Sequence, residues 1–196
     1  MTSQFCWFIW EGKSVSRETK TNMTNKTIKT KDYLVTGESF KIALDQRTGV
    51  LKTTPVPNPE SLKKYYQTKQ YMSYTSAPKT TFEKAYVFIR KIRIAKKTKT
   101  IKKMLGGSGS LLDFGCGTGD FLLKAKEAGL TVAGIEPNKM ARKSAGLKTS
   151  SKIYSSKEDA ETDPNKYDVI TLWHSLEHVL DLEATISFLK NKLNPG

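Results

Sequence analysis

The chain has 196 residues, which suits one ordinary domain or one domain with a long extension. Its two cysteines are too few for a disulfide framework or a four-thiolate zinc site, so we expect a reducing compartment, the cytoplasm. No run of about 18 apolar residues occurs, which excludes a membrane-spanning helix. The net charge of +14 lies in the first half, since residues 1–105 carry +15 and residues 106–196 carry −1. Because the first half is basic, its candidate partners are nucleic acid, an acidic membrane surface and anionic substrates.

The N-terminal segment, residues 1–31, predicts a disordered leader. Residues 5–10 form an apolar cluster, but no basic residue precedes Phe5, so the pattern is not that of a secretory signal peptide. Residues 11–31 are polar, rich in Thr and Lys, and without periodicity. Met23 lies within this stretch, and the hypothesis that translation starts there is testable by mass spectrometry of the native N-terminus.

The next region, residues 32–105, predicts a hairpin followed by a helical lid. Apolar runs between residues 33 and 53 flank a turn signal that ends in Gly49, which predicts a β-hairpin. Ser61 can cap a short helix beyond a proline-rich stretch. Thr81 can cap a longer helix, whose apolar side recurs at helical spacing in Phe82, Ala85, Tyr86, Ile89 and Ile92.

This longer helix continues into a strongly basic stretch. Residues 90–103 contain eight Lys and Arg residues and no acid. One interpretation is a solvated helix face with Ile92, Ile101 and Met104 turned inward; the other is a surface that binds phosphate or lipid. The sequence GGSG that starts at Gly106 marks the boundary with the second half.

The second half, residues 106–196, alternates between strands and helices. Short apolar strands are predicted at residues 111–114, 130–135, 152–154 and 167–173. Helices are predicted at residues 121–128, from Asn138 to near Gly146, and after residue 181, where Leu182, Ile186, Leu189 and Leu193 share one face. This alternation predicts right-handed βαβ units, a parallel sheet and a Rossmann-like α/β fold.

A glycine-rich turn joins the first of these strands to its helix. Residues 113–119 read DFGCGTG, and glycines there let the backbone approach a ligand closely. Glu136 ends the second strand, where a carboxylate can accept hydrogen bonds from a ribose diol. The turn is not a dinucleotide fingerprint, because Asp120 stands at the sixth position, and it lacks the lysine of a P-loop. The pattern therefore predicts another nucleoside-bearing cofactor.

The acid-x-G-x-G-x-G pattern resembles motif I of the class I S-adenosylmethionine (SAM)-dependent methyltransferases. The resemblance continues at residues 134–138, 167–179 and 193–196, in the family's order and spacing. The overall pattern is similar to the UbiE-like group of small-molecule methyltransferases. It implies an enzyme that transfers a methyl group from SAM to a small-molecule acceptor, which the residues do not identify.

The resemblance implies roles for the matching residues. Asp113 would hold the methionine amine of SAM, directly or through water, and Glu136 would bind the ribose hydroxyls. Trp173 and His174 would face the sulfonium side. The residues expected along the methionine, the ribose and the adenine are Gly115, Cys116, Gly117, Gly119, Pro137 and Asn138.

Candidates for acceptor binding and catalysis are fewer. His174 is the best-placed general base, so it is the predicted catalytic residue. Residues 54–74 resemble the N-terminal segment of a bacterial subgroup whose tyrosines cover the pocket, which implies substrate contacts for Tyr65, Tyr66 and Tyr71, with core or hairpin packing as the alternative. His178 is a further substrate candidate, with a structural role as the alternative.

The family fold has seven strands, whereas this chain contains four of them and the following helix. The expected fold is therefore an incomplete seven-stranded fold, and the fourth strand would present an exposed apolar edge. Such an edge suggests a truncated chain, or a homodimer that covers it.

Residues 174–178 also match the zinc-protease pattern H-x-x-E-H. The chain has only two histidines and no further ligand cluster follows, so no metal site is expected. Two other functions stay open: a nucleic-acid-binding or RNA-modifying protein that uses the basic helix, and a non-catalytic subunit with the SAM-binding fold.

Overall fold

The computed structural model describes residues 7–9, 27–33, 35–56 and 81–195, and for residues 7–9 and 81–83 it describes the backbone only. These residues fall into two compact units. Residues 7–9 and 81–195 belong to the first unit, and residues 27–33 and 35–56 to the second. The sequence places a boundary near Gly106, but the structure groups the whole basic helix with the parallel sheet.

The described elements, in chain order, are β1 (Trp7–Ile9), β2 (Ile28–Lys31), β3 (Ser39–Leu44), β4 (Leu51–Thr54), α1 (Thr81–Met104), β5 (Ser110–Phe114), α2 (Asp120–Glu127), β6 (Thr131–Ile135), α3 (Lys139–Thr149), β7 (Ile153–Tyr154), α4 (Lys157–Glu161), β8 (Val169–Leu172) and α5 (Leu182–Lys192). A short 3-10 turn, Leu176–His178, lies between β8 and α5.

The second unit is a three-stranded antiparallel sheet in the order β2-β3-β4. Its β3–β4 hairpin confirms the predicted one, and the turn closes where Asp45 accepts the backbone N–H of Gly49 at 2.8 Å. Residues 28–31 correct the predicted disordered leader, because they form β2 and pair with β3. The pairing places Ile28 opposite Ile42, so the strand adds an apolar pair to the sheet.

The first unit is built on a five-stranded sheet in the order β1-β8-β5-β6-β7. Strands β5, β6, β7 and β8 run parallel, which confirms the predicted Rossmann-like architecture. The chain moves outward from β5 to β6 and β7, and then crosses back to place β8 on the other side of β5. Such a reversal of strand order opens a crevice at the carboxyl ends of the two strands, here β5 and β8.

The core covers both faces of this sheet. Leu111 and Leu112 are neighbours on β5 and point to opposite faces, yet both are fully buried. Leu112 packs with Ile170 and with Leu189 of α5 on one face, whereas Leu111 belongs to the cluster that includes Ile101 of α1. Burial on both faces explains why the strands are apolar throughout rather than alternating.

Helix α1 packs differently from the prediction. Of the three side chains expected inward, Ile101 is fully buried, but Ile92 is 43% and Met104 is 41% exposed. Tyr86 and Ile89, on the predicted apolar face, are also about half exposed. The reason is that only the C-terminal half of the helix contacts the core, so the apolar spacing in its first half does not lead to burial.

The predicted open edge at β8 is covered within the chain. Trp7, Phe8 and Ile9 form β1 and pair antiparallel with Leu172, Thr171 and Ile170. This pairing corrects two predictions: residues 7–9 are not a disordered leader, and β8 does not present an open edge along Ile170–Leu172. The homodimer stays a prediction. In the part of the chain that the structure describes, no helix has the length and apolar character that a membrane crossing requires.

Candidate functional site

The glycine-rich turn lies at the carboxyl ends of the strands, directly after β5. The carbonyl of Ile135, at the end of β6, accepts the backbone N–H groups of Gly115 at 2.8 Å and Cys116 at 3.1 Å. Gly115 has a φ of 81°, and a Cβ there would lie 2.7 Å from the Cβ of Ser175. The turn is therefore held against both neighbouring strands, and its glycines allow backbone approaches that a side chain would block.

Gly117, at the tip of the turn, borders open space and not a neighbouring side chain. It also adopts a positive φ, 55°, but a Cβ there would meet no atom within 4 Å. Its backbone N–H donates to Oε2 of Glu136 at 2.8 Å. The tip of the turn consequently faces open space while its backbone is fixed from the side.

Glu136 links the turn to the start of α3. Its Oε1 accepts the backbone N–H of Asn138 at 2.8 Å, and its side chain is buried. Asn138 in turn caps α3, since its side-chain oxygen accepts the N–H groups of Met140 and Ala141. Each carboxylate oxygen has a second lone pair, so the group can still accept hydrogen bonds from a ligand.

Asp113 is buried beneath the turn, near the end of β5. Its Oδ1 accepts a hydrogen bond of 2.7 Å from the hydroxyl of Thr171 on β8. Burial raises the pKa of Asp113 to about 7, although the Thr171 hydrogen bond opposes this shift. Asp113 is therefore a carboxyl group that a nearby cation would ionise.

The segment after β8 supplies Trp173 and His174. The ring of Trp173 meets Phe121 edge to face, with 5.6 Å between centroids, and Nζ of Lys97 lies 3.9 Å from its ring centroid. His174 has a φ of 59° and an exposed side chain, with Nδ1 3.9 Å from Oε1 of Glu177.

A cavity of about 300 Å³ lies over the glycine turn. One wall comes from the turn and from the segment after β8, and another comes from α1. The helix contributes three basic side chains and three other side chains to this wall: Arg90, Arg93, Lys97, Tyr86, Ile89 and Ile94. Asp120, at the start of α2, also lines the cavity and is bridged by Arg90 and Lys148, each at 2.6 Å.

The structure brings six of the predicted site residues to this cavity, namely Asp113, Gly115, Cys116, Gly117, Trp173 and His174. Gly119, Glu136, Pro137 and Asn138 do not line it, although Glu136 is bonded to Gly117. Cys116 is buried, and its burial raises the pKa of its thiol, so this side chain is an apolar neighbour and not a nucleophile.

Other predicted residues lie elsewhere. His178 is exposed on the 3-10 turn and is not among the cavity residues. Tyr65, Tyr66 and Tyr71 lie outside the described residues. A second cavity, of about 390 Å³, lies in the antiparallel unit and contains none of the predicted site residues.

Sequence reasoning missed two parts of this site. Thr171 is fully buried and orients Asp113, but an isolated threonine in a strand has no distinctive pattern. The basic wall of α1 did have a signal, because Tyr86, Arg90, Arg93 and Lys97 follow one another at helical spacing. From the sequence, these basic residues are expected on a solvated face or on a surface that binds phosphate or lipid, and not at the cavity.

The H-x-x-E-H segment shows no metal-site geometry in the described part of the chain. Its first histidine lies at the cavity, whereas its second is exposed on the 3-10 turn. Among the described residues, no three His, Cys, Asp or Glu side chains are grouped as metal ligands would be.

Comparison with known proteins relates this chain to methyltransferases. The family described as "Methyltransferase domain" matches residues 88–196, more than half of the chain. The ubiquinone biosynthesis O-methyltransferase of Vibrio atlanticus (strain LGP32) is 38% identical over 94 residues, which cover 44% of this chain and 39% of that protein. The chain thus spans about two fifths of the length of this curated relative.

Solved structures show the same fold. Magnesium protoporphyrin IX methyltransferase from Synechocystis PCC 6803 with bound SAM matches at a TM-score of 0.54 and 15% identity, over 73% of this chain and 75% of that one. The same enzyme with bound S-adenosylhomocysteine (SAH) matches at a TM-score of 0.54 and 16% identity, over 70% and 69% of the two chains. Likeness at this level of identity concerns the fold alone.

Proposed function

Since the chain belongs to the methyltransferase-domain family, we propose that it is a SAM-dependent methyltransferase that acts on a small-molecule acceptor. The observation that carries the proposal is that Asp113 and the glycine turn line one cavity at the strand ends, and that Glu136 is bonded to the turn at Gly117. The structural relative named above is a methyltransferase whose structures with bound SAM and with bound SAH share this fold.

The residues present fit SAM. The open space over Gly117 admits a ligand against the backbone of the turn, and the buried carboxyl of Asp113 suits the cofactor's ammonium group. Glu136 retains lone pairs for the ribose hydroxyls. We place Gly115, Cys116, Gly117 and Gly119 along the methionine and ribose, Pro137 and Asn138 near the adenine, and Trp173 beside the sulfonium.

When bound, the cofactor supplies an electrophilic methyl group. The protein's part is to align the acceptor with that group and to remove a proton from the acceptor. We assign the proton removal to His174, whose side chain lies at the cavity with Glu177 nearby. A hydroxyl acceptor agrees with the O-methyltransferase named above, and we propose oxygen as the methylated atom.

The nucleic-acid alternative has less support. Three cations of the basic stretch are engaged within the protein: Arg90 with Asp120, Lys97 with Trp173, and Lys102 with the carbonyl of Ala128 at 2.7 Å. The cytoplasmic location and the substrate contacts of Tyr65, Tyr66, Tyr71 and His178 stay predictions.

Calorimetry with SAM and SAH tests the proposal. We expect Asp113→Asn and Glu136→Gln to weaken binding by about tenfold or more, because each removes a charged hydrogen-bond acceptor from the ligand. Glu127→Gln is the matched control, since it removes the same charge from an exposed side chain at the end of α2.

Thermal unfolding of each variant verifies that it is folded. Folded Asp113→Asn and Glu136→Gln variants that bind SAM as tightly as the unaltered protein would refute the assignment. Tight SAM binding without methyl transfer to any of a panel of phenolic, amine and carboxylate acceptors would favour a non-catalytic subunit.

A further inference from the structure

We propose that the methyl acceptor carries an anionic group, a carboxylate or a phosphate, and that Arg93 of α1 binds it. This inference rests on the proposed function and extends it to the substrate class. It depends on the cavity wall that α1 provides and on the contacts of its three cations, because Arg90 and Lys97 contact groups inside the protein whereas Arg93 forms no ion pair with a described residue.

Helix α1 presents one continuous basic face to the cavity. Arg90, Arg93 and Lys97 follow Tyr86 at intervals of four, seven and eleven residues, so all four side chains fall on the same side of the helix. All four line the cavity over the glycine turn. A small-molecule cavity with three cations on one wall is suited to an anion.

Two of these cations already have partners inside the protein. Nη2 of Arg90 lies 2.6 Å from Oδ2 of Asp120, whose other oxygen is bound by Lys148. Nζ of Lys97 lies over the face of Trp173. Their role is therefore to hold α1 against α2 and against the segment that follows β8.

Arg93 is different. Its side chain is exposed at the cavity, and none of the ion pairs found among the described residues involves it. The acids that line the cavity do not neutralise the charge of Arg93, because Asp120 is bridged by two other cations and Asp113 is buried beneath the turn. A guanidinium offers paired N–H donors that match a carboxylate or phosphate, which makes Arg93 the residue to orient such a group.

The alternative occupant is the carboxylate of SAM itself. The two occupants make different predictions, because a cofactor contact affects SAH binding whereas an acceptor contact affects only acceptor binding. The test therefore measures both ligands separately.

The experiment compares two acceptors of nearly equal shape, 3,4-dihydroxybenzoate and the uncharged 3,4-dihydroxybenzamide. Their binding to the full 196-residue chain saturated with SAH is measured by calorimetry, and methyl transfer is measured as kcat/KM with SAM. We expect the acid to bind more tightly than the amide. We expect Arg93→Gln to lower the ratio of the two affinities about tenfold, which corresponds to about 1.4 kcal/mol.

Three controls define the outcome. SAH binding should be unchanged in Arg93→Gln, and Arg93→Lys should restore part of the preference. Lys96→Gln, which removes a charge from an exposed side chain outside the cavity, should leave the preference intact.

The proposal is overturned if the unaltered protein does not prefer the acid, or if Arg93→Gln weakens SAH binding as much as acid binding. Failure of the proposed function would look different, because SAH itself would then not bind to the unaltered protein.

Discussion

At the scale of single residues, the burial of Asp113 gives its proposed role in cofactor binding a measurable pH dependence. Its raised pKa of about 7 means that the carboxyl is mostly neutral at pH 6 and mostly ionised at pH 8. The ammonium group of SAM favours the ionised form, so binding is expected to release the proton.

We therefore expect the affinity for SAM to rise as the pH rises from 6 to 8, by up to about tenfold, which is the change in the ionised fraction of a group with this pKa. Calorimetry at several pH values measures this dependence. The Asp113→Asn variant should show a flat profile over the same range. An affinity that falls with pH in the unaltered protein would contradict the assignment.

His174 combines an unusual backbone with a position at the cavity, and it is the proposed general base. Its φ of 59° lies in the left-handed region, where asparagine is also tolerated. His174→Asn therefore removes the proposed base with little change in backbone strain. We expect kcat to fall by about a hundredfold or more at unchanged SAM affinity. If kcat for a hydroxyl acceptor and its pH profile are unaltered, His174 is not the base.

At the scale of elements, the packing of β6 against the glycine turn depends on Gly134. A Cβ there would lie 2.6 Å from Sγ of Cys116 and 2.9 Å from Cδ1 of Leu122. Gly146, in the middle of α3, would meet nothing within 4 Å. The two glycines thus form a matched pair, one constrained by packing and one not.

We expect Gly134→Ala to lower the free energy of unfolding by about 1–3 kcal/mol, because a methyl group overpacks the core. Gly146→Ala should raise it by about 0.4–1 kcal/mol, because alanine loses less backbone entropy in a helix. Urea denaturation of both variants measures the difference. Equal effects of the two substitutions would mean that the turn is not packed against β6 in this way.

Helix α1 shows how the sequence predicts an element but not its orientation. Its existence and length follow from local periodicity and from a stretch without Gly or Pro. Which side faces inward depends on where the helix meets α2, and the Arg90–Asp120 ion pair joins residues 30 positions apart. The basic wall of the cavity is a product of that packing.

At the scale of the whole molecule, β1 adds an antiparallel strand to the β8 edge of the parallel sheet, from a distant part of the chain. It pairs with β8, whose residues Val169–Leu172 are all buried. Without β1, the backbone groups at this edge of β8 would be open to pairing with another chain.

A variant that lacks residues 1–10 should therefore lose amide protection in β8 and self-associate as its concentration rises. Hydrogen–deuterium exchange measures the protection at Ile170, Thr171 and Leu172, and sedimentation velocity measures the association state. Unchanged exchange in a monomeric variant would show that β1 does not protect this edge.

The parallel α/β fold, the hairpin and the position of the glycine turn are all predictable from the sequence alone. These features are local: strand–helix alternation, turn residues and glycine spacing are all read within short stretches of chain. The turn and Glu136 can be predicted to form one site because they follow neighbouring parallel strands, whose carboxyl ends meet at one edge of the sheet.

The remaining residues of the candidate site are brought together by long-range packing, which the sequence does not reveal. Thr171 and Asp113 are 58 positions apart and meet because β8 crosses back beside β5. The cations of α1 reach the cavity because of how the helix is rotated against α2, and β1 reaches β8 across most of the chain. Each of these contacts depends on which elements become neighbours in space, a property that local periodicity and turn chemistry do not contain.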